Sequence, residues 1–204
     1  MPTQPMLVRE AGTAADPQTR EVELQRRPLT RPEAAEVMAQ IRRSPKITGY
    51  STAEWTGRRD TFVLVDLTSG ELLGALLTHH LAGNWCEIAV VFVLEAHRGR
   101  GYGRLLLGGA LRTLAPSRKR QLLFFSAEGA METMVRSAGF EVFPDEDSFV
   151  RGRPGRSIYL RSIYKAQWLS NIYRIREMRR KRRELDCSFT FKVALLETKK
   201  EPSK

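Results

Sequence analysis

The segment from Glu87 to Gly103, EIAVVFVLEAHRGRGYG, constrains the fold more than any other part of the chain. After its leading glutamate the run to Leu94 is apolar on both alternating faces, which is typical of a central strand covered on both sides. A turn rich in glycine and arginine follows, and a helix is predicted to begin at about Tyr102. A buried strand joined by a short turn to a helix indicates a sheet with helices packed on it.

The turn after Leu94 has the composition of an anion-binding cradle. Its glycines permit positive φ and close backbone approach, so successive N–H groups can curl around an oxygen-rich ligand. The N-terminus of the following helix adds unpaired donors and partial positive charge. The glycines and the accompanying arginines are Arg98, Gly99, Arg100, Gly101, Gly103 and Arg104. The turn therefore predicts a site for a diphosphate.

Two common phosphate-binding motifs do not fit this turn. A P-loop needs GxxxxGK[ST], and no Lys-Ser or Lys-Thr pair follows the glycines. A dinucleotide fingerprint GxGxxG beginning at Gly99 would need glycine where Arg104 stands. It would also need an acidic residue at the end of the next strand, where Ser126 and Ala127 lie.

The pattern RxxGxG, from Arg98 to Gly103, resembles motif A of the GNAT superfamily of acyl-CoA-dependent N-acyltransferases, (Q/R)xxGx(G/A). The resemblance extends over residues 21–143 in element order and includes the Gly-Phe-Glu segment that begins at Gly139. It implies an α/β fold with a mixed sheet. It also implies acetyl-CoA as co-substrate, an amine as acceptor and direct transfer in a ternary complex, with no metal.

The resemblance also implies where the donor binds. A V-shaped cleft is expected between the strand over residues 87–94 and the strand over residues 121–126. The pantetheine arm is expected to pair with main-chain groups near Phe92, Val93 and Leu94. The pyrophosphate is expected on Arg98, Gly99, Arg100, Gly101, Tyr102, Gly103 and Arg104.

Glu87 is the candidate general base, because the attacking amine must lose a proton. A carboxylate that faces a partly apolar cleft is expected to have its pKa raised toward that task. Strand alternation predicts that Glu87 shares a face with Ala89, Val91 and Val93. In histone-type relatives a glutamate at this offset serves as base, which implies the same role. The alternative is a strand-end carboxylate satisfied by solvent or by an arginine.

The usual general acid is missing. Many relatives carry a tyrosine on the helix after the 121–126 strand, and counting back from Gly139 places Val135 there. Ser126, Tyr102 or water could protonate the leaving thiolate, or the thiolate could leave unassisted. A catalytically inactive binding module with this fold is therefore the alternative to an enzyme.

The acceptor side has no identifying motif. His79 and His80 end a strand expected to border it, and they are either substrate-binding residues or ordinary strand-end residues. The loops over residues 44–60 and 144–156 are expected to set the choice of acceptor, which stays open.

The net charge of +11 lies wholly in the last quarter of the chain. Residues 1–150 contain 18 basic and 18 acidic side chains, whereas residues 151–204 contain 16 and 5. This asymmetry divides the chain into a leader (1–20), an acyltransferase core (21–150) and a basic extension (151–204).

The extension is predicted to form one long amphipathic helix over residues 157–185, followed by an edge strand over 187–196. The helix has an apolar stripe at Leu160, Tyr164, Trp168, Ile172 and Ile175. The stripe docks on the core or on a second subunit as a homodimer, with the cations from Arg174 to Arg183 solvated. Alternatively, those cations bind RNA or DNA phosphates, or the helix lies on an anionic membrane.

The sequence argues against zinc-binding, membrane-spanning and secreted proteins. The two cysteines and three histidines match no zinc spacing, and no apolar run reaches the roughly 18 residues of a membrane span. The N-terminus has charges and prolines where a secretory signal would be apolar. A cytoplasmic location is expected.

Overall fold

A computed structural model describes residues 6–8, 21–116, 120–126, 129–166 and 171–198. Eight strands form one mixed sheet in the order β1-β2-β3-β4-β5-β6-β8-β7. The strands are β1 (Met6–Val8), β2 (Val22–Arg26), β3 (Phe62–Asp66), β4 (Leu72–His80), β5 (Trp85–Val93), β6 (Arg120–Phe125), β7 (Glu141–Phe143) and β8 (Lys192–Glu197). All neighbouring strands are antiparallel except β5 and β6, and the predicted mixed sheet is confirmed.

Helices cover both faces of the sheet. They are α1 (Arg31–Arg43), α2 (Thr52–Gly57), α3 (Tyr102–Leu114), α4 (Ala130–Ser137), α5 (Glu146–Val150), α6 (Pro154–Ile158) and α7 (Ile172–Glu184). The predicted capping box at the start of α1 is present, with Thr30 accepting from the N–H of Glu33 and the glutamate reaching back. Ser51 and Glu54 form a second capping box at α2.

The parallel pair β5 and β6 diverges soon after it forms. Only three residue pairs are in register, and the last of them joins Glu87 to Leu122. Beyond this point β6 pairs with β8 on its other side, and its edge facing β5 is open. The V-shaped cleft expected from the sequence is therefore present, with Glu87 at its apex.

A β-bulge interrupts the pairing of β4 and β5 next to this apex. Val90 lies opposite Leu77 and Ile88 lies opposite Thr78, so Ala89 has no cross-strand partner. An extra residue exchanges the two faces of a strand. The prediction that Glu87 shares a face with Val91 and Val93 was therefore wrong: those two valines pack on the core beneath α3, whereas Val90 and Phe92 pack on the opposite core.

The C-terminal strand was predicted to lie at an edge of the sheet, and this prediction was wrong. β8 begins at Lys192 and lies between β6 and β7, and β7 forms the edge. Its residues Val193, Ala194 and Leu195 are buried because both neighbouring strands and both layers cover them. The extension is thus part of the sheet, and residues 144–191 form a long connection between the neighbouring strands β7 and β8.

This connection also differs from the single helix that was expected over residues 157–185. Helix α6 begins at Pro154 and continues as a π-helical segment, Tyr159–Tyr164, whereas α7 begins separately at Ile172. The side chain of Asn171 caps α7 by accepting from the N–H of Arg174, 3.1 Å away, so a helix starts anew there. Trp168 of the predicted stripe lies outside the described residues. The 144–156 segment, predicted as a loop, contains α5 as well.

Polar contacts as well as apolar ones attach the connection to the core. Tyr159, Leu160 and Tyr164 are buried in a cluster with residues of β8. Lys181 of α7 is fully buried, and its Nζ donates to the carbonyl oxygens of Ile41 in the last turn of α1 and of Ser44 and Ile47 after that helix. The cation therefore satisfies carbonyls at the C-terminal end of a helix, where a positive charge is favoured.

Candidate active site

The opening between β5 and β6 is a cleft of about 510 Å³, called the donor cleft below. Its lining includes Ile88, Ala89, Val90, Val91, Phe92, Val93, Arg98, Gly103, Leu123, Phe124, Phe125, Ser126, Met131, Met134 and Phe191. Apolar side chains dominate, and arginine and glycine of the turn lie at one end. A long, mostly apolar groove with a cationic mouth is suited to a ligand with an extended arm and a phosphate group.

The glycine and arginine turn has the backbone conformation that the sequence predicts. Gly99 and Gly101 have φ values of 80° and 82°, and Gly101 is the N-cap of α3. The N–H of Arg104 bonds to the carbonyl of Gly101 at 2.9 Å and closes the first helical turn, so the amides before it point out of the helix end. Arg98, Arg100 and Arg104 are exposed around these amides.

Arg98 is held against the floor of the donor cleft. Its Nε donates to the carbonyl of Val93 at 3.2 Å, and its guanidinium lies 5.6 Å from the ring centre of Phe92. Gly103 also lines the cleft, and a Cβ there would lie 3.3 Å from Sδ of Met134. Tyr102, by contrast, is buried in the core beneath α3, so only its main chain belongs to the turn.

The free main-chain groups of β5 are not all those expected. The N–H of Leu94 donates to the carbonyl of Leu73 in β4 at 3.0 Å, so it is already used. Because polar groups alternate along a strand, those of Phe92 face β4 as well, and those of Val91 and Val93 face the donor cleft. Of the predicted Phe92, Val93 and Leu94, Val93 thus has main-chain groups on the cleft side, as does Val91, although the carbonyl of Val93 accepts from Arg98. Phe92 also lines the cleft, and pairing with a pantetheine arm stays a prediction.

Glu87, at the apex of the cleft, is buried and held by two side chains. Nδ1 of His79, its cross-strand partner, lies 2.7 Å from Oε2. The hydroxyl of Tyr164 donates to Oε1 at 2.8 Å. The strand-end histidine and the π-helical tyrosine thus fix both carboxylate oxygens.

This environment keeps Glu87 ionised. Burial acts to raise the pKa of Glu87, but the hydrogen bond and charge of His79, the charge of Arg174 and the Tyr164 hydroxyl together lower it below its ordinary value. Burial acts to lower the pKa of His79, but its contacts with Glu54 and Glu87 raise it. The expectation of a raised glutamate pKa was wrong, because it considered the apolar cleft and not the imidazolium beside it.

Glu54, which the sequence analysis missed, is the second carboxylate of the site. Its Oε1 lies 3.4 Å from Nε2 of His79 and accepts from Nδ2 of Asn171 at 3.0 Å. Burial acts to raise the pKa of Glu54, but His79, Ser51 and Arg174 lower it to about 2. The capping box that begins at Ser51 was the available signal: it fixes this glutamate at the start of α2, and the chain then places α2 beside β4.

Two phenols stand near Glu87. Tyr50 is buried, and its hydroxyl donates to the carbonyl of Ala89, the bulged residue. Burial raises the pKa of both Tyr50 and Tyr164 above that of an ordinary phenol, so both phenols are protonated. Val135, which stands at the position of the usual general acid, is fully buried. Ser126, one of the alternative acids, donates its hydroxyl to the carbonyl of Lys46.

Two further cavities continue from the donor cleft past Glu87. The middle chamber, about 250 Å³, shares Thr48, Tyr50, Ala89, Phe124 and Phe191 with the donor cleft. The outer pocket, about 340 Å³, shares Glu87, Tyr164 and Arg174 with the middle chamber. Its full lining is Ser51, Glu54, Arg58, His79, Leu81, Glu87, Tyr164, Asn171, Ile172 and Arg174. Glu87 therefore lines both cavities that adjoin the donor cleft.

The predicted cationic face of α7 is smaller than its composition indicates. Arg174 and Lys181 are buried, and Arg180 pairs with Glu177 and Glu184. The exposed arginines of the helix are Arg176, Arg179, Arg182 and Arg183. The expectation that all the cations from Arg174 to Arg183 are solvated was therefore wrong for Arg174 and Lys181.

His80, the other strand-end histidine, lies apart from the site. Its Nε2 is 2.7 Å from Oδ2 of Asp60, so the two histidines point to different partners. Across the described ranges no group of histidine, cysteine and carboxylate side chains is arranged to hold a metal ion. Nor does any helix within those ranges have the length and apolarity to cross a membrane.

Comparison with known proteins gives the family. Residues 26–140 match the model of the acetyltransferase (GNAT) family, whose acyl donor is acetyl-CoA. Comparison with curated proteins gave no match.

Solved structures share the fold at low identity. N-acetylglutamate synthase from Neisseria gonorrhoeae, in complex with coenzyme A and N-acetyl-glutamate, is 14% identical with a TM-score of 0.58 over 90% of this chain; this chain spans 36% of that one. Diaminobutyrate acetyltransferase from Paenibacillus lautus, in complex with its substrate and coenzyme A, is 10% identical with a TM-score of 0.57, covering 90% and 99% of the two chains. The ribosomal-protein-S18-alanine N-acetyltransferase from Escherichia coli is 13% identical with a TM-score of 0.52, covering 89% and 96%. The family match over more than half of the chain, together with this shared fold, shows that the chain belongs to the acetyltransferase (GNAT) family.

Proposed function

We propose that this protein transfers an acetyl group from acetyl-CoA to an amine in a ternary complex, with Glu87 as general base. The observation that supports this most directly is the position of Glu87, an ionised carboxylate at the apex of the donor cleft that also lines the two cavities beyond it. A base at the junction of a donor route and an acceptor route is what direct transfer requires.

The donor occupies the open edge of β5. The pyrophosphate binds the amides and arginines from Arg98 to Arg104, and the pantetheine arm pairs with main-chain groups of Val91 and Val93. The thioester carbonyl then lies near the bulge at Ala89, within the middle chamber. Because the groove is lined by apolar side chains, water is excluded from the thioester.

The chemical step needs one base and one acid. The amine arrives as an ammonium and gives a proton to Glu87, and its lone pair then attacks the thioester carbonyl. The carbon–nitrogen bond forms, and the carbon–sulfur bond breaks as the tetrahedral intermediate collapses. The nitrogen gives its second proton to the group that protonates the sulfur, which leaves a neutral amide, the CoA thiol and a protonated Glu87. Tyr50 lines both the donor cleft and the middle chamber, so its phenol is our candidate to protonate the departing sulfur.

The activities for which the structural relatives are named support an amine acceptor without choosing one. Two of the three have an amino acid or its acetylated product in the complex, and the third is named for an alanine of a ribosomal protein. Both small-molecule amines and peptide N-termini therefore belong in an acceptor screen.

The test has two stages. Thermal-shift measurements with acetyl-CoA and longer acyl-CoAs first ask whether the donor cleft is occupied, and we expect acetyl-CoA to stabilise the protein. Release of free CoA thiol is then measured with acetyl-CoA and a panel of polyamines, amino acids and peptides. A folded protein that binds no CoA thioester, or that binds one and acetylates no amine in the panel, would contradict the proposal.

A further inference from the structure

The outer pocket contains a buried cation whose hydrogen bonds are not all made. Arg174, at the start of α7, is 4% exposed, and its guanidinium lies 4.9 Å from the ring centre of Tyr50. Its Nε and Nη2 are buried without a hydrogen-bond partner, since the nearest carboxylate oxygen, Oε1 of Glu54, is 3.8 Å from Nη2. Burying a guanidinium whose donors make no hydrogen bonds costs free energy, and a ligand that supplies acceptors would recover part of it.

The free donors suit one kind of ligand. Nε and one Nη of a guanidinium form a planar fork that matches the two oxygens of a carboxylate. Because Arg174 is buried against the ring of Tyr50, little side-chain freedom remains to be lost on binding. Arg174 lines both the outer pocket and the middle chamber, so a ligand on either side of Glu87 can reach it.

The outer pocket contains side chains of both charges. Glu54 and Glu87 flank His79, and Arg174, whose Nη2 lies 3.8 Å from Oε1 of Glu54, lines the same pocket, as does Arg58. Carboxylates that attract an ammonium thus face a guanidinium that attracts an anion. At about 340 Å³ the pocket is near the lower limit of ligand sites, which suits a molecule the size of a single amino acid.

We infer that the acceptor is a small amine that also bears a carboxylate, and that Arg174 binds this carboxylate while the amine faces Glu87. This inference rests on the proposed function, because it names the substrate class of the same site. It assigns the connection between β7 and β8 a role in specificity: the polypeptide that covers the acceptor side also carries the group that selects the acceptor.

Matched acceptors test the inference. Each amino acid in the screen is compared with its α-amide and its decarboxylated amine, for example ornithine with ornithinamide and putrescine, by release of CoA thiol. Loss of a charge-assisted pair is expected to lower kcat/KM by roughly tenfold to a hundredfold for the amide and the amine. Equal use of all three compounds would overturn the inference and leave the acetyltransferase proposal intact.

Variants of Arg174 separate binding from simple charge balance. In Arg174→Gln and Arg174→Lys we expect the KM of the carboxylate acceptor to rise at least about tenfold and the preference over the amide to disappear. The KM of acetyl-CoA is expected to stay within about twofold, as in Arg176→Gln, an exposed position on the same helix that serves as control. If Arg174→Gln slows the acid and its amide equally, the guanidinium merely balances Glu54 and Glu87, and the inference is wrong.

A binding measurement keeps the inference testable without turnover. Calorimetry of the CoA-bound protein with an N-acetylated amino acid, and with its amide, asks directly whether the carboxylate is recognised. We expect binding of the acid alone, and its loss in Arg174→Lys with thermal stability near that of the wild type. Absence of binding in the wild type would overturn the inference, whereas absence of CoA binding would overturn the proposed function instead.

Discussion

His79 lies directly opposite Glu87 in the β4–β5 ladder, with its Nδ1 2.7 Å from the carboxylate oxygen Oε2. Its other ring nitrogen faces Glu54 at 3.4 Å, so one imidazole ring lies between two carboxylates. The base proposed for amine acetylation is thus kept ionised by its neighbour, although it is buried. The register of β4 against β5 therefore determines the protonation state of Glu87, because it places His79 beside the carboxylate.

Replacing Glu87 by glutamine removes the proposed base while keeping its size. We expect kcat to fall by roughly a hundredfold to ten-thousandfold, as is common for loss of a general base, with the Kd of acetyl-CoA nearly unchanged. Timed assays of CoA release give kcat, and calorimetry gives the Kd of acetyl-CoA. Glu36→Gln, an exposed position on α1, is the matched control. Unchanged turnover in Glu87→Gln would remove this residue from the mechanism.

Replacing His79 by glutamine is expected to move the acid limb of the pH profile. The pKa of Glu87 is low because the contacts of His79, the charge of Arg174 and the Tyr164 hydroxyl together outweigh burial, so removal of His79 raises that pKa. Glu87 is then protonated, and inactive as a base, at pH values where the wild type works. The acid limb of kcat/KM should shift to higher pH. A limb that stays in place would show that His79 does not control the ionisation of Glu87.

The two phenols near Glu87 are expected to act differently. Tyr164→Phe removes a donor from the carboxylate, so it should raise the pKa of Glu87 and shift the acid limb upward as well. Tyr50→Phe leaves both contacts of Glu87 in place, so it should lower kcat without that shift if the Tyr50 phenol protonates the sulfur. Complete pH profiles of both variants distinguish the roles, and a Tyr50→Phe enzyme with wild-type kcat would exclude Tyr50 as the acid.

Two glycines of similar conformation test the diphosphate site. Gly101 and Gly70 both have positive φ, 82° and 70°, but Gly70 lies in the turn between β3 and β4. Alanine at either position should cost roughly 1–2 kcal/mol of stability, because left-handed backbone is unfavourable for it. Only Gly101→Ala should weaken CoA binding in calorimetry, since only the amide of Gly101 belongs to the glycine and arginine turn before α3. Equal CoA affinity in both variants would argue against diphosphate binding there.

Adjacent cations on α7 test how the extension is attached. Lys181→Ala leaves the carbonyls of Ile41, Ser44 and Ile47 without their donor in a buried place, so we expect a loss of several kcal/mol in the free energy of unfolding. Arg182→Ala at the exposed neighbouring position should change that free energy by less than about 0.5 kcal/mol. Denaturant titration compares them, and similar losses would contradict the docking role of Lys181.

Local patterns in the sequence determined much of the fold and the donor side. The RxxGxG turn, the start of α3 at Tyr102 and the capping box at Thr30 depend on neighbouring residues and on backbone conformations that glycine or a polar cap makes accessible. The position of Glu87 near the start of a buried strand follows from the run of apolar residues after it. These features are encoded within a few residues, so they can be predicted from the sequence.

The tertiary structure alone decided the chemistry of the acceptor side. A bulge at Ala89 reversed the strand faces, and the alternation of residues in β5 gives no sign of it because both faces are apolar. Glu54, His79 and Arg174 come from a helix, a strand and a connection far apart in the chain, so no spacing in the sequence records that they meet. The ionisation of Glu87 depends on that meeting, because a pKa is set by the charges and burial around a group and these exist only once the chain has folded.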